Sequence, residues 1–246
     1  MRFAAIADIH GNHLALEAVL ADIRRQGITE IVNLGDCFSG PLTAGKTADL
    51  LLELNALTVR GNHDRYLIEQ APETMHVSDR VAHSELTERH LEWLRALPVS
   101  AVHLDEAYLC HATPANDNVY WLESVSQDGH VYLKPLEEIE ALAAGIDFPL
   151  ILCGHSHIPR AVRLSDGRLI VNPGSVGCPA YDDDLPYHHK VEAGHPFASY
   201  AILEKAGDHW LPAFRQVAYD HMAMAELAAQ NGREEWASGL ATGWLR

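Results

Sequence analysis

Five short strings of carboxylate, imidazole and amide residues each stand directly behind a short apolar run. They are Asp8-Ile9-His10, Gly35-Asp36, Gly61-Asn62-His63-Asp64, His111 and Gly154-His155-Ser156-His157. No other feature of the 246-residue chain restricts its fold as much. Short apolar runs bounded by turn residues read as buried strands. In open α/β sheets, sites form just beyond the carboxyl ends of the strands, so residues far apart in the chain meet there. A fold that aligns these strand ends gathers all five strings in one place. Glycines at 35, 61 and 154 allow the backbone to turn sharply at that edge.

The rest of the pattern agrees with such a sheet. Residues 2–7 read as a strand, and residues 13–26 as a helix with Leu14, Leu16, Val19, Leu20 and Ile23 on one period, ended by Gly27. A strand over 30–34, a helix over 46–54 and a strand over 56–59 complete a β-α-β-α-β opening, the signature of a parallel sheet flanked by helices. A helix is expected over 84–96, a hairpin over 99–103 and 107–110, a helix over 136–144 and a strand over 150–153. A second hairpin, over 161–164 and 168–171, turns at Asp166-Gly167. Antiparallel strands over 199–203 and 210–217 precede helices over 220–229 and 233–241. We expect one domain over 1–246, of α/β (α+β) class, with C-terminal helices at about 220–241. Residues 112–134 and 173–197 fit no element. The insert at about 112–134 and the loop at 178–197 are candidate lids.

The chain carries 18 Lys+Arg against 34 Asp+Glu, a formal net charge of −16. That balance argues against a broad nucleic-acid surface or an anionic-membrane surface. No stretch approaches the roughly 18 apolar residues of a spanning helix, and the opening apolar run is too short for a signal peptide. The four cysteines, Cys37, Cys110, Cys153 and Cys178, include no Cys-x-x-Cys pair. They read as reduced thiols of a cytoplasmic protein.

Carboxylate, imidazole and a neutral amide oxygen together suit a divalent transition metal such as Mn, Fe, Zn, Co or Ni. Ca and Mg prefer all-oxygen sites. There are more donors than one ion needs; two ions about 3.5–4 Å apart, sharing one carboxylate, would use them. Taken singly, each string has a plain structural account. Asp8-x-His10 can be a surface turn, and Asn62 or Asp64 can cap a helix. Five in succession, each behind a strand, point to a site.

These motifs resemble the calcineurin-like metallophosphoesterase superfamily, over residues 2 to about 178. Asn172-Pro173-Gly174-Ser175-Val176-Gly177 resembles a signature of its smaller one-domain prokaryotic members, often described as phosphodiesterases. The resemblance implies two packed mixed β-sheets flanked by helices, a four-layer αββα sandwich. It implies that Asp8, His10 and His157 bind one divalent ion, that Asn62, His111 and His155 bind a second, and that Asp36 bridges them. It further implies in-line attack on phosphorus by a metal-bridging hydroxide. His63 would be the general acid for the leaving alkoxide, with Asp64 orienting it. Binding-only relatives have lost histidines; the full set here favours an enzyme.

The expected substrate is a small phosphate ester or nucleotide-type molecule, with phosphodiester hydrolysis as the leading activity. A phosphomonoesterase or protein phosphatase, a dinucleoside polyphosphate hydrolase and a non-catalytic scaffold are the alternatives. Arg65 is a candidate phosphate contact, weighed evenly against a solvated helix residue. Asn172, Gly174 and Ser175 are candidate anion contacts through backbone N–H groups, weighed evenly against a plain turn. Tyr120, Trp121 and Tyr132 in the insert are read as its small core rather than as a base-stacking surface. The cysteines, each near a ligand string, raise the hypothesis of an oxidation-sensitive site.

Overall fold

The computed structural model describes residues 1–246. The chain opens with β1 (Arg2–Ile6), α1 (His13–Arg25), β2 (Ile31–Asn33), α2 (Ala44–Leu54), β3 (Leu57–Thr58) and α3 (Asn62–Glu69). Next come α4 (Val77–Glu85), α5 (Glu88–Ala96), β4 (Ser100–His103) and β5 (Ala107–Cys110). The middle holds β6 (Glu123–Val125), β7 (Val131–Leu133), α6 (Leu136–Leu142), β8 (Leu150–Leu152), β9 (Arg160–Arg163) and β10 (Leu169–Asn172). The chain finishes with β11 (Ala180–Asp183), β12 (His189–Glu192), β13 (Ala198–Ala206), β14 (His209–Val217), α7 (His221–Gln230) and α8 (Glu234–Thr242).

Two five-stranded sheets form, in the orders β14-β13-β1-β2-β3 and β4-β5-β8-β10-β9. Both are mixed. In the first, β1, β2 and β3 run parallel and β13 joins β1 antiparallel; in the second, β5, β8 and β10 run parallel between antiparallel edges. Side chains alternate across a strand, and the alternation assigns the layers. Phe3, Ala5 and Ala7 of the first sheet share a buried cluster with Leu109, Leu150, Leu152 and Val171 of the second. The opposite face of β1, Ala4 and Ile6, packs on Leu16, Val19 and Ile23 of α1. Ile151 and Ile170 pack outward on Ile139 of α6. The result is the expected pair of mixed sheets between helices.

α1 shows how local chemistry sets an element. Asn12 caps it by accepting from Ala15 N at 3.1 Å, and Arg24 and Arg25 sit in its last turn, where cations favour the helix dipole. Two expectations change. The helix expected over 84–96 is two helices broken at Leu86-Thr87, because Thr87 caps α5: its hydroxyl accepts from His90 N while His90 Nδ1 accepts from Thr87 N. The unassigned stretches 112–134 and 173–197 hold the hairpins β6–β7 and β11–β12. Each ladder is too short to show a clear alternation in the sequence. No helix is long and apolar enough to cross a membrane.

Candidate metal centre

The carboxyl ends of β1, β2, β3, β5 and β8 converge, and every ligand string sits there. The backbone reaches this geometry by left-handed turns. Asp8, His10, Asp36, His155 and His157 have φ of 55°, 52°, 55°, 70° and 59°. Non-glycine residues seldom adopt that region, at a cost of order 1–3 kcal/mol each, and such strain clusters at functional sites. Interlocking backbone bonds hold the turns. Asp8 N donates to Gly35 O at 3.0 Å, Ile9 N and His10 N both donate to Asp36 O, and Gly11 N donates to Cys37 O. His155 N donates to the Asp8 carboxylate at 3.1 Å, and Gly154 N to His111 O at 2.7 Å. Gly61 is required here for space: a Cβ would lie 2.1 Å from Asp36 Oδ1.

Two clusters of ligand atoms form, Asp8, His10 and His157 in one and Asp36, His111 and His155 in the other. Asn62 joins the second, its Oδ1 lying 3.0 Å from His111 Nε2. Asp36 lies between the clusters, its Oδ2 3.3 Å from His111 Nε2 and 3.9 Å from His10 Nε2. Three imidazoles are fixed from behind. His10 Nδ1 donates to Ser39 O at 2.7 Å, His111 Nδ1 to Leu34 O at 2.8 Å and His157 Nδ1 to Cys178 O at 2.8 Å. With the proton on Nδ1, the Nε2 of each ring in its neutral form presents a bare lone pair inward, which is how metal-binding histidines are oriented.

The clusters fit cations on their own chemistry. His10 Nε2 and His157 Nε2 face each other at 3.1 Å, and as neutral rings neither has a proton to offer the other. Burial pushes His10 down to about 4 and His155 to about 3, keeping both neutral as ligation requires. Burial pushes the Asp8 carboxyl up to about 8, as for an anion without its counter-charge. His111 goes the other way. Burial opposes its charge, yet Asp36 and Asp8 push it up to about 10, so the gap between His111 and Asp36 also calls for positive charge. Six carboxylate and imidazole residues with one amide oxygen suit divalent transition ions rather than Ca or Mg.

His63 is not in either cluster. Its backbone N–H donates to Asp36 Oδ1 at 3.0 Å, and its half-exposed ring faces a cavity of about 890 Å³. Behind the ring, Nδ1 meets Asp79 Oδ1 at 2.9 Å, and the same oxygen accepts from Ser39 Oγ at 2.5 Å. Burial opposes the imidazolium, but Asp36 and the Asp79 bond outweigh it and push His63 up to about 9. This corrects the expected role of Asp64. Asp64 accepts from the backbone N–H groups of Asp36, Cys37 and Gly61 at 2.8, 2.9 and 3.0 Å. As the third residue of α3 it caps that helix and ties the β2 and β3 turns together, so it positions Asp36. Asp79 and Ser39 were missed because Asp79 lies on α4, a polar helix outside every motif.

The four substrate contacts expected from the sequence, Arg65, Asn172, Gly174 and Ser175, make bonds within the protein. Arg65 makes a two-pronged bond to Asp117 at 2.7 and 2.8 Å and nears Glu69. In the 172–177 loop, Gly174 N donates to Asn172 Oδ1, Val176 N to Ala7 O and Gly177 N to Asp8 O. Ser175 Oγ donates to Asp8 O and accepts from Cys178 N, while Asn172 Nδ2 donates to Gly154 O. That loop therefore braces the Asp8 and Gly154 turns, and its Gly174, Val176 and Gly177 N–H groups are already paired. All four cysteines are buried, and burial raises each thiol, which works against oxidation. Tyr120 and Trp121 are buried as expected, but Tyr132, expected beside them, is exposed, because its strand β7 is the outer strand of a two-stranded hairpin. The Tyr120 ring packs 5.0 Å from His155, Tyr181 packs 4.5 Å from His157, and their hydroxyls meet at 2.6 Å. This joins the 112–134 and 178–197 stretches above the ligands.

Paired mixed sheets carrying two histidine-carboxylate clusters at their strand ends define a candidate dinuclear metal centre. Comparison with known proteins identifies the lineage. The calcineurin-like phosphoesterase superfamily domain matches residues 1–192, and the chain belongs to that superfamily. An uncharacterised protein of Methanocaldococcus jannaschii is 28% identical over 95% of this chain and 94% of its own. The crystal structure of a metallophosphoesterase from Sphaerobacter thermophilus aligns with a TM-score of 0.75 at 26% identity, over 99% of this chain and 100% of that one. A hypothetical protein from Pyrococcus horikoshii shares the fold, with a TM-score of 0.77 at 19% identity over 100% and 99% of the two chains.

Proposed function

We propose that this chain is a metal-dependent phosphoesterase acting on phosphodiesters, with His63 as its general acid. The observation that carries the reading is the placement of His63. The residue is tethered to the central carboxylate Asp36 through its backbone and faces the cavity with its ring. When bound, two divalent ions supply Lewis acidity at the phosphoryl oxygens and lower the pKa of water to near neutrality. Asp8, His10 and His157 would hold one ion and Asn62, His111 and His155 the other, with Asp36 shared. Asp79 accepts the Nδ1 proton of His63, which leaves Nε2 to deliver a proton to the departing ester oxygen. Bound cations would offset the Asp36 charge, but the Asp79 bond remains to keep His63 protonated. Ser39 couples the two functions: its carbonyl fixes ligand His10 and its hydroxyl fixes Asp79.

A preference for diesters follows from the scarcity of cations around the cavity. Arg233 is the only lysine or arginine lining it, and Arg65 is bound to Asp117. A monoester dianion would find little beyond the ions themselves to compensate its second charge. The test compares bis(p-nitrophenyl) phosphate with p-nitrophenyl phosphate over Mn, Fe, Zn, Co and Ni, with metal content measured in parallel. We expect turnover with at least one ion and a higher kcat/KM for the diester. A monoester preference refutes the diester reading. No bound metal and no turnover with any ion favours a non-catalytic scaffold.

A further inference from the structure

One wall of the cavity comes from beyond the residues matched by the superfamily domain. Trp236, on α8, is half-buried and lines the cavity; its ring centroid lies 5.9 Å from that of ligand His10, at 70°. The far edge of the indole lies against Gly40, where a Cβ would come within 3.3 Å of it. The helix is clamped in place. Arg233 donates from Nη1 to Ser78 Oγ of α4 and from Nε to Glu235 Oε1. The indole is thus a fixed flat surface next to the metal ligands. The remaining cavity wall is acidic: Asp182, Asp183, Asp184 and Glu235 line it, against the single guanidinium of Arg233 already engaged with Ser78 and Glu235.

A phosphoryl group held between the two ligand clusters would place one ester substituent within reach of this wall. A second phosphate there would meet carboxylates. A flat, uncharged ring would meet the indole, where stacking is favourable and tolerant of ring identity. We propose that Trp236 is the platform for the organic group of the substrate, and that the substrate is a phosphodiester with one phosphoryl charge and an aryl or nucleoside ester group. The proposal rests on the phosphoesterase reading for its chemistry but not for its binding test.

Two p-nitrophenyl esters with the same leaving group and charge isolate the platform: p-nitrophenyl thymidine 5′-phosphate and p-nitrophenyl methyl phosphate. The metal-loaded wild type should favour the nucleoside ester in kcat/KM by on the order of tenfold, the scale of one stacking contact. Trp236→Leu should abolish that preference and Trp236→Phe should restore part of it, through KM rather than kcat. Inserting a second phosphate, as in the p-nitrophenyl ester of thymidine 5′-diphosphate, should lower kcat/KM. Calorimetric binding of phenylphosphonate and methylphosphonate supplies a readout without turnover. The phenyl compound should bind more tightly to wild type, and equally with the methyl compound to Trp236→Leu. Selectivity unchanged in Trp236→Leu at full metal content, or a preference for the diphosphate ester, overturns the proposal. If wild type hydrolyses none of the esters with any ion, the phosphoesterase reading fails, while the phosphonate comparison still decides the role of Trp236. If Trp236→Leu does not fold, the Trp236→Phe comparison decides in its place.

Discussion

Replacing Asp79 with Asn separates the assigned acid machinery from metal binding. Asp79 is buried, with a side chain 2% exposed, and one carboxylate oxygen receives both the His63 ring and the Ser39 hydroxyl. The substitution keeps the shape and removes the charge. A hydrogen bond to a charged group contributes ~1.5–3 kcal/mol. If that bond is what holds His63 protonated and aligned as the ester oxygen leaves, its loss raises the barrier by a similar amount. At 1.36 kcal/mol per factor of ten, kcat should fall about 10- to 150-fold. The loss should depend on the leaving group. p-Nitrophenolate is a stable anion and needs little proton donation, whereas an alkoxide needs nearly all of it. The assay therefore compares kcat for bis(p-nitrophenyl) phosphate and for a dialkyl phosphate, whose leaving group is always an alkoxide, with metal content measured on the same samples. Asp79→Asn should bind both ions, lose little with the nitrophenyl leaving group and lose most with the alkyl one. Equal losses on both leaving groups at full metal content would refute the assignment of Asp79 as the partner of the acid.

Further perturbations test the other roles. Asp64→Asn weakens three backbone bonds that shape the β2 and β3 turns. It should lower metal content and activity on both leaving groups together, unlike Asp79→Asn. Gly61→Ala drives a Cβ into Asp36 Oδ1 and should reduce bound metal, measured by plasma emission, while circular dichroism shows the fold retained. Asp22 accepts from Tyr200 at 2.7 Å and from Arg215 and Arg25, joining α1 to β13 and β14. Because both arginines are partly exposed, Asp22→Asn should cost only ~1–2 kcal/mol, or roughly 2–8 °C in Tm. The Arg215 bond holds the Asp22 carboxyl below its ordinary value. The difference between wild type and Asp22→Asn should therefore be full above about pH 4 and vanish as pH falls through the folded value; a difference that persists in acid would contradict this. The four buried thiols should resist Ellman's reagent in the native protein and all react in guanidinium.

The strands and their ligand strings were legible because both follow period and position. A buried strand needs a short apolar run, and a ligand at its carboxyl end needs only to come next. Asp8, Asp36, Asn62, His111 and His155 could therefore be found without coordinates. What could not be read were partnerships set by tertiary approach. Asp64 is adjacent to His63 in sequence, but on α3 its carboxylate turns back to the helix start while the His63 ring turns toward α4 and Asp79. Arg65 lies one residue farther and finds Asp117, which is 52 positions away. The Asn172–Gly177 loop has the residues of an anion-binding nest, yet its Gly174, Val176 and Gly177 N–H groups go to Asn172, Ala7 and Asp8. Trp236 belongs to an ordinary amphipathic helix, and nothing in its spacing shows that it reaches His10.

The left-handed ligand residues explain why these tertiary partners matter. Five strained residues in one cluster persist only if the surroundings over-determine them. The surroundings here are the same groups that the sequence suggested as chemistry. Asp64 gathers three N–H groups, Ser175 holds Asp8 O, and Asn172 holds Gly154 O. Each is polar, buried and fully hydrogen-bonded, so each resembles a catalytic residue in composition while acting as a brace. The distinction is visible only in where the last hydrogen bond goes. Asp64, Ser175 and Asn172 direct theirs into the backbone of the turns, whereas His63 keeps one face of its ring on the cavity. A residue that spends every polar group on the scaffold sets the ligand geometry. One that keeps a polar atom toward the cavity is available to the substrate.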